Sequence, residues 1–110
     1  MSNKLNLSEI ANNSREFYSM ADLVNAMKKK PIVWSWGAHN FVNYAKKILK
    51  FNVQGRLFTG HVYIRVNGSD LFDIWLTTSH KTIKITHTDI YLDQLLEILD
   101  RDIEYIPKYS

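Results

Sequence analysis

Four histidines and two aspartates are the side chains of this chain best suited to acid–base or metal chemistry. Metal binding needs clustered ligands, and the four histidines show no His-x3-His or comparable spacing. Asp73 lies on a predicted strand among large apolar residues, where an unpaired carboxylate is costly to bury. Tyr63 or Arg65, its neighbours across or along the predicted hairpin, can satisfy it, so the pattern favours a structural role over acid–base catalysis. The six residues are His39, His61, His80, His87, Asp70 and Asp73.

Other catalytic chemistries have even less support. The chain contains no cysteine, which excludes disulfides, thiolate metal sites and cysteine nucleophiles. Its four glycines stand singly at positions 37, 55, 60 and 68, so no glycine-rich loop leads into a helix to hold a phosphate. We therefore expect a protein that is not an enzyme and that uses neither a metal nor a cofactor.

Basic and aromatic residues provide a different chemistry, in which basic side chains bind anions and aromatic side chains stack on the rings of a ligand. No acidic residue occurs between Asp22 and Asp70, an interval that holds eight cations and several aromatic side chains. Residues 1–86 carry twelve Lys or Arg against five Asp or Glu, while residues 87–110 carry two against six. This segregation either serves an acidic partner or places the acidic C-terminal segment over its own basic sheet.

Two functions fit these patterns. Tryptophan is enriched at interface hot spots, so an exposed aromatic surface indicates a protein partner. Basic grooves lined by aromatic rings are typical of proteins that bind single strands. We interpret the chain as a small accessory or interaction protein that binds a protein partner through an aromatic surface. The alternative is a nucleic-acid-binding module that binds single-stranded DNA or RNA through the acid-free interval 23–69. The predicted partner-binding residues are Trp34, Trp36, His39, Lys46, Lys47, Lys50, Arg56 and Arg65.

The size and composition of the chain predict one globular domain. It has 110 residues, of which 45% are hydrophobic and 13% aromatic, and its net charge is +3. This length is too short for two independent cores. The first ten residues lack the apolar run of a signal peptide, and the chain has no 18-residue apolar stretch. We therefore expect a soluble, cytoplasmic protein.

Helical signals lie at both ends of this domain. Ser19 can cap a helix that ends before Pro31, with Met20, Leu23, Val24 and Met27 on its buried face. Near the C-terminus, Thr88 or Asp89 can cap an amphipathic helix. The apolar positions of this second helix are Leu92, Leu95, Leu96, Leu99 and Ile103.

The sequence predicts mainly strands in the middle of the chain. Residues 32–37 are rich in β-branched and aromatic residues and predict a short strand, and Phe41 to Lys47 predict a short helix. Alternating apolar residues predict strands around residues 49–53, 60–66 and 71–76, with another at 81–86. Between the second and third of these we expect a three-residue loop, Asn67-Gly68-Ser69, because it keeps the apolar residues on one face.

These elements predict an α+β fold. An antiparallel meander of three to four strands is packed by an N-terminal helix, a short second helix and a C-terminal amphipathic helix. The expected organisation is a flexible N-terminal arm at residues 1–17, a single domain at 18–106 and a frayed tail at 107–110. An exposed edge strand of the meander could pair with a second copy to form a homodimer.

Three stretches stand out in comparison with other proteins: VWSWGAH at residues 33–39, GHVYI at 60–64 and NGSDLFDI at 67–74, of which the WSWG and DLFD segments are the most distinctive. Together they resemble a group of small uncharacterised proteins from gut Bacteroidetes and their phages or mobile elements. The resemblance spans residues 31 to 104. It implies a small intracellular accessory protein of a bacterium or its phage, and it assigns no activity and no catalytic residue.

Overall fold

The fold is α+β, with one antiparallel sheet and helices on both of its faces. The computed structural model describes residues 4–18 and 20–104, and within them it contains four helices and five strands. The strands form a meander in the order β1-β2-β3-β4-β5. The predicted class is confirmed, whereas the sheet has five strands rather than three to four. The helices are α1 (Leu7–Asn12), α2 (Met20–Lys28), α3 (Pro31–Ser35) and α4 (Leu92–Ile103). The strands are β1 (His39–Tyr44), β2 (Ile48–Gln54), β3 (Thr59–Val66), β4 (Phe72–Thr77) and β5 (Ile83–Ile90).

The two faces of the sheet have different coverings. The front face, which carries Phe51, Ile64 and Ile74, packs against α2, α3 and α4 and forms the main core. The back face, which carries Ile48 and Tyr63, packs against α1 in a smaller cluster. The period-two alternation of the strands therefore corresponds to two partly covered faces, each with its own apolar cluster.

Helices α2 and α4 bury the faces that their periodicity predicts. In α4, Leu95, Leu99 and Ile103 are fully buried, but Leu92 at its first turn is exposed. In α2 the buried or half-buried residues are Met20, Leu23, Val24 and Met27. Both helices therefore follow the 3.6-residue apolar pattern.

The predicted strand at residues 32–37 is wrong, because most of this segment forms helix α3. Pro31 occupies the first turn, where its fixed φ suits a helix and its missing N–H is not needed. Val33 and Trp36 both point into the main core. Burial of these two side chains overrides the strand preference of the β-branched residues.

The predicted helix at residues 41–47 is also wrong, because the chain forms edge strand β1 and then a turn. Phe41 stacks on Phe51 with ring centroids 5.0 Å apart, which places the Phe41 side chain on the front face. The turn passes through Ala45 and Lys46, both with positive φ. The apolar residues of this segment have a spacing that also suits a helix, but the segment pairs with β2 and adopts a strand instead.

The β3–β4 hairpin keeps its predicted inward face but not its predicted register. Val66 pairs with Phe72, so the loop comprises residues 67–71 rather than the expected 67–69. The side-chain oxygen of Asn67 accepts hydrogen bonds from two amides within this loop, which stabilises the longer connection. Because the register shifts by two residues, the inward-facing side chains stay inward.

Helix α4 begins later than its predicted caps. Strand β5 continues to Ile90, so neither Thr88 nor Asp89 caps the helix, which begins at Leu92. Asp89 has a φ of 56° and lies in an irregular part of the β4–β5 pairing. Its amide instead donates to Asp73, and its carboxylate accepts a hydrogen bond from Asn67 Nδ2 at 2.8 Å.

The N-terminal segment, predicted as a flexible arm at residues 1–17, packs on the sheet wherever the structure describes it. Lys4 forms a bridge with Thr82, and Arg15 forms one with Val66, so α1 crosses the back face diagonally. The division into arm, domain and tail otherwise stays a prediction. The expected cap Ser19 and the expected tail at 107–110 lie outside the described residues. Within those residues, no helix has the length and apolar character needed to cross a bilayer.

A buried carboxylate, Asp73, connects β3, the β3–β4 loop and β5. Arg65, one of the two partners predicted from the sequence, places Nε and Nη2 each 2.9 Å from Asp73 Oδ2. Asn67 Nδ2 donates to Asp73 Oδ1 at 2.9 Å, and the Asp89 amide donates to the same oxygen at 3.0 Å. Both carboxylate oxygens are therefore satisfied, as a buried charge requires.

Removing the charge of Asp73 should destabilise the whole fold. We expect Asp73→Asn to lower the free energy of unfolding by about 3 kcal/mol, because it leaves the Arg65 guanidinium half-buried without its counter-charge. The control is Asp70→Asn, which breaks an exposed ion pair with Arg15 and should cost less than about 1 kcal/mol. Urea denaturation followed by circular dichroism measures both. Equal losses in the two variants would contradict the role assigned to Asp73.

Candidate nucleic-acid interface

A groove between α2 and the edge strand β1 is bordered by basic, aromatic and amide side chains. One side of α2 presents Asn25 and Lys28, and β1 presents Phe41 and Asn43 from the opposite wall. The cleft has a volume of about 280 Å³. The Lys28 ammonium lies 5.4 Å from the centre of the Phe41 ring, within the range of a cation–π interaction. We refer to this cleft as the α2–β1 groove.

The groove continues into a second cleft near the start of α2. This cleft has a volume of about 370 Å³ and shares Asn43 with the first, while Tyr18 and Lys46 line its far end. Glu16 also lines this cleft and is the acidic residue in its lining. The Glu16 carboxylate raises the pKa of the Tyr18 phenol, through a side-chain hydrogen bond and through its negative charge. The Tyr18 ring itself is exposed.

The β1–β2 hairpin adds three lysines to this region. Its turn is held by the Asn43 side-chain oxygen, which accepts a hydrogen bond from the Lys46 amide at 2.8 Å. Lys50 pairs with Val42 across the two strands, and both lie on the back face of the sheet. Lys46, Lys47 and Lys50 are here called the hairpin lysines. Together with Lys28 they place positive charge on both sides of the edge strand.

None of these four lysines takes part in an ion pair within the described residues. Two acidic residues of α4 are engaged elsewhere, since Asp100 accepts a hydrogen bond from Trp36 and Asp102 contacts His87. Glu104 accepts hydrogen bonds from Arg56. The acidic helix thus lies on the front face without neutralising the hairpin lysines, so the charge segregation of the sequence persists in the fold.

Trp36 is not on the predicted surface, because its side chain is fully buried. Its indole N–H donates to Asp100 Oδ1 at 3.0 Å, and its carbonyl accepts a hydrogen bond from the Gln54 amide. These bonds join α3 to α4 and to β2. Trp36 therefore belongs to the core and not to a contact surface.

Trp34 has the opposite placement, with 73% of its surface exposed. Its indole N–H donates to the Lys28 carbonyl, so the ring lies over the C-terminal end of α2. Three consecutive lysines, at positions 28–30, surround that end of the helix. The third tryptophan, Trp75, is half-buried, with the Arg65 guanidinium 5.3 Å from its ring centre. Of the three, Trp34 is the one available to a partner.

The remaining predicted residues divide between three places. Arg65 is bound to Asp73, and Arg56 lies beside Glu104 at the end of α4. His39 is exposed on β1 and pairs with Asn52 across the strands, away from the hairpin turn. The structure therefore brings together three of the eight predicted residues, the hairpin lysines, and places Trp34 near the other end of the same groove.

His39 also borders a smaller cleft of about 160 Å³ that contains Asn52 and His61. Asn52 Oδ1 and His61 Nδ1 are buried without a hydrogen-bond partner. These two residues are register partners on β2 and β3. Among the described residues, no three His, Cys, Asp or Glu side chains cluster closely enough to hold a metal ion.

Several groove residues were missed by the sequence reasoning. Phe41 and Asn43 were assigned to a helix, and Asn25 carries no distinguishing signal within α2. Tyr18, whose ring is exposed, was not among the predicted partner-binding residues. The one signal that pointed to the region was the absence of acidic residues from its sequence interval.

Comparison with protein-family models, with curated proteins and with solved structures finds no match for this chain. The resemblance to small proteins of gut Bacteroidetes stays a prediction, since these comparisons do not test it. The geometry above is therefore the basis for inferring a function.

The two neighbouring tryptophans should respond differently to truncation. We expect Trp36→Ala to reduce the free energy of unfolding by about 3–5 kcal/mol, since it empties a fully buried site and leaves Asp100 without its donor. Trp34→Ala should cost less than about 1 kcal/mol because most of its ring faces solvent. Thermal and urea unfolding measure both. A large loss in Trp34→Ala would show that this ring is part of the core.

The titration of His61 gives a second check on this region. Burial, together with the nearby Lys50 ammonium, lowers the pKa of His61 from its ordinary value of about 6.5. The unfolded chain then binds a proton more readily than the folded chain, so the stability linked to His61 falls as the pH drops below about 6.5. In Lys50→Gln we expect the His61 ring to titrate at a higher pH than in the parent protein, as followed by NMR. An unchanged midpoint would contradict the proximity of the two charges.

Proposed function

We propose that the protein binds single-stranded nucleic acid through the α2–β1 groove and the hairpin lysines. The observation that carries the proposal is the set of four lysines, Lys28 with the hairpin lysines, that have no ion-pair partner within the described residues. Phosphate groups that neutralise such lysines release counterions, which provides sequence-independent affinity. The lysines lie on both sides of β1, so the phosphates of a single-stranded nucleic acid that runs along this edge of the sheet can contact them.

Side chains suited to bases lie beside these cations. Tyr18 is exposed at one end of the extended groove, and Trp34 is exposed beside Lys28 at the other. Aromatic rings in such positions stack with bases of any type. Asn25 and Asn43 face the groove between them, and their amides can donate to and accept from base edges. The groove thus combines the two kinds of contact that single-strand binding requires.

The shape of the site favours a single strand over a duplex. Ala21 and Lys28 both line the groove, and their separation along α2 corresponds to about 10 Å of helix rise. A cleft of this length between a helix and a strand can accept splayed nucleotides. Reading of a duplex requires a helix or ribbon that enters the major groove. The longest helix, α4, presents the acidic side chains Asp93 and Glu97 to solvent, which opposes that role.

The function that the sequence analysis put first, a protein partner bound through an aromatic surface, has less support at this site. Trp36 is buried and Trp75 half-buried, which leaves Trp34 with few exposed aromatic neighbours. An aromatic hot spot normally involves clustered side chains in a packed patch. A different surface of the molecule suits a protein partner better and is considered in the next subsection.

Fluorescence anisotropy with a labelled single-stranded oligonucleotide tests the proposal. We expect binding at about 50 mM salt that weakens steeply by 200 mM, with a log–log slope of roughly −2 to −3 for three to four phosphate contacts. The double variant Lys46→Gln/Lys50→Gln should bind at least about tenfold more weakly and show a slope shallower by one to two units. Duplex DNA should bind more weakly than the single strand.

The matched control is Lys81→Gln/Lys84→Gln, which removes two exposed lysines in and before β5, at the opposite edge of the sheet. It changes the net charge by the same amount, so it should lose much less affinity than the hairpin variant. Circular dichroism establishes that both variants are folded. Equal losses in the two variants, or no binding at the lower salt concentration, would overturn the proposal.

A further inference from the structure

We infer that a second groove, between α2 and α4, binds an amphipathic helix with basic flanks that belongs to a partner protein. This groove lies on the side of α2 opposite the α2–β1 groove. Leu23 and Ala26 line it from α2, and Leu92 and Leu96 line it from α4, with Phe72 beneath them. Its volume is about 320 Å³. We refer to it as the α2–α4 groove.

The groove is apolar, and its rim exposes large side chains. Leu92 is 62% exposed and the adjacent Tyr91 is 59% exposed. Leu92 and Leu96 are one helical turn apart, so they form a ridge along the open side of α4. Contiguous exposed apolar surface of this kind marks an interaction site more often than scattered apolar residues do.

The geometry favours a helix as the occupant. The two walls are themselves helices that pack on the same face of the sheet, so the depression between them accepts the ridge of a third helix. Its volume suits two or three aliphatic side chains, which a helix presents at positions i, i+3 or i+4, and i+7. An extended strand would instead need unpaired backbone groups, and helix walls do not offer them.

Charge defines the flanks of that helix. Asp22 lines the groove on α2, and Asp93 and Glu97 follow Leu92 and Leu96 around α4, toward solvent. Within the described residues Asp22 and Asp93 form no ion pair, and Glu97 has only an exposed contact with Arg101. Lysine or arginine residues beside the apolar ridge of the partner would meet these carboxylates.

The same charges argue against two other occupants. In a symmetric dimer built on this groove, each copy would bring its acidic rim to the acidic rim of the other. A nucleic acid would meet the same repulsion. A basic amphipathic helix is therefore the occupant whose shape and charge both match.

Isothermal titration calorimetry with a pair of designed peptides tests this inference on the full chain. Both peptides have about 18 residues with leucines at i, i+3, i+4 and i+7, and their flanking positions are lysine in one and glutamate in the other. We expect the lysine peptide to bind at least about tenfold more tightly. The double variant Asp22→Lys/Asp93→Lys should reverse this preference, because it changes the charge and leaves the apolar lining intact.

Two further variants make the result specific to the groove. Leu92→Lys should weaken the lysine peptide at least about tenfold without unfolding the protein, since this side chain is mostly exposed. Lys46→Gln/Lys50→Gln should leave peptide binding unchanged, which separates this inference from the proposed nucleic-acid function. Equal binding of both peptides, no binding of the lysine peptide, or binding unaffected by Leu92→Lys would each overturn the inference. A dimer in light scattering that Leu92→Lys dissociates would assign the groove to a second copy and overturn it as well.

Discussion

The carboxylate of Asp73 is the interaction on which the arrangement of this molecule depends. It holds Arg65 on β3, Asn67 in the β3–β4 loop and the Asp89 amide near the end of β5. Arg65 also donates to the Ile10 carbonyl of α1, so the same network reaches the back-face covering. By fixing where β5 ends, it sets the point at which α4 begins. The α4 wall of the α2–α4 groove therefore depends on a buried charge that is neutralised within the sheet.

Much of the frame could be predicted from the sequence, because its signals are local. The 3.6-residue period of α4 and the alternation in β2, β3 and β4 each depend on one segment that buries one face. The failures have non-local causes. Most of residues 32–37 forms helix α3 because Val33 and Trp36 reach the core. The indole of Trp36 finds its acceptor on Asp100, 64 residues later in the chain. Nothing within the segment itself carries that information.

For the candidate surfaces, the sequence predicted the composition but not the arrangement of the residues. The acid-free interval indicated where positive charge would concentrate, and the hairpin lysines do lie together. Its eight cations nevertheless separate in the fold, because Arg65 pairs with Asp73 and the Arg56 guanidinium donates to the Glu104 backbone carbonyl. Phe41, which forms one wall of the basic groove, is placed by stacking on Phe51, a contact that exists only once β1 pairs with β2. Sequence patterns predict the charge of a surface, whereas strand pairing determines which residues lie on it.

Helix α2 separates a basic groove on one side from an acidic groove on the other. Its buried edge, with Met20 and Met27, leaves two flanks free, and each flank forms one wall of a groove. One flank meets β1 and carries Lys28, while the other meets α4 and carries Asp22. Opposite charges on the two sides of a single helix prevent one ligand from occupying both grooves, since a polyanion is attracted to the first and repelled by the second. The charge asymmetry along the chain thus becomes a separation of two binding chemistries across about one helix diameter, roughly 10 Å.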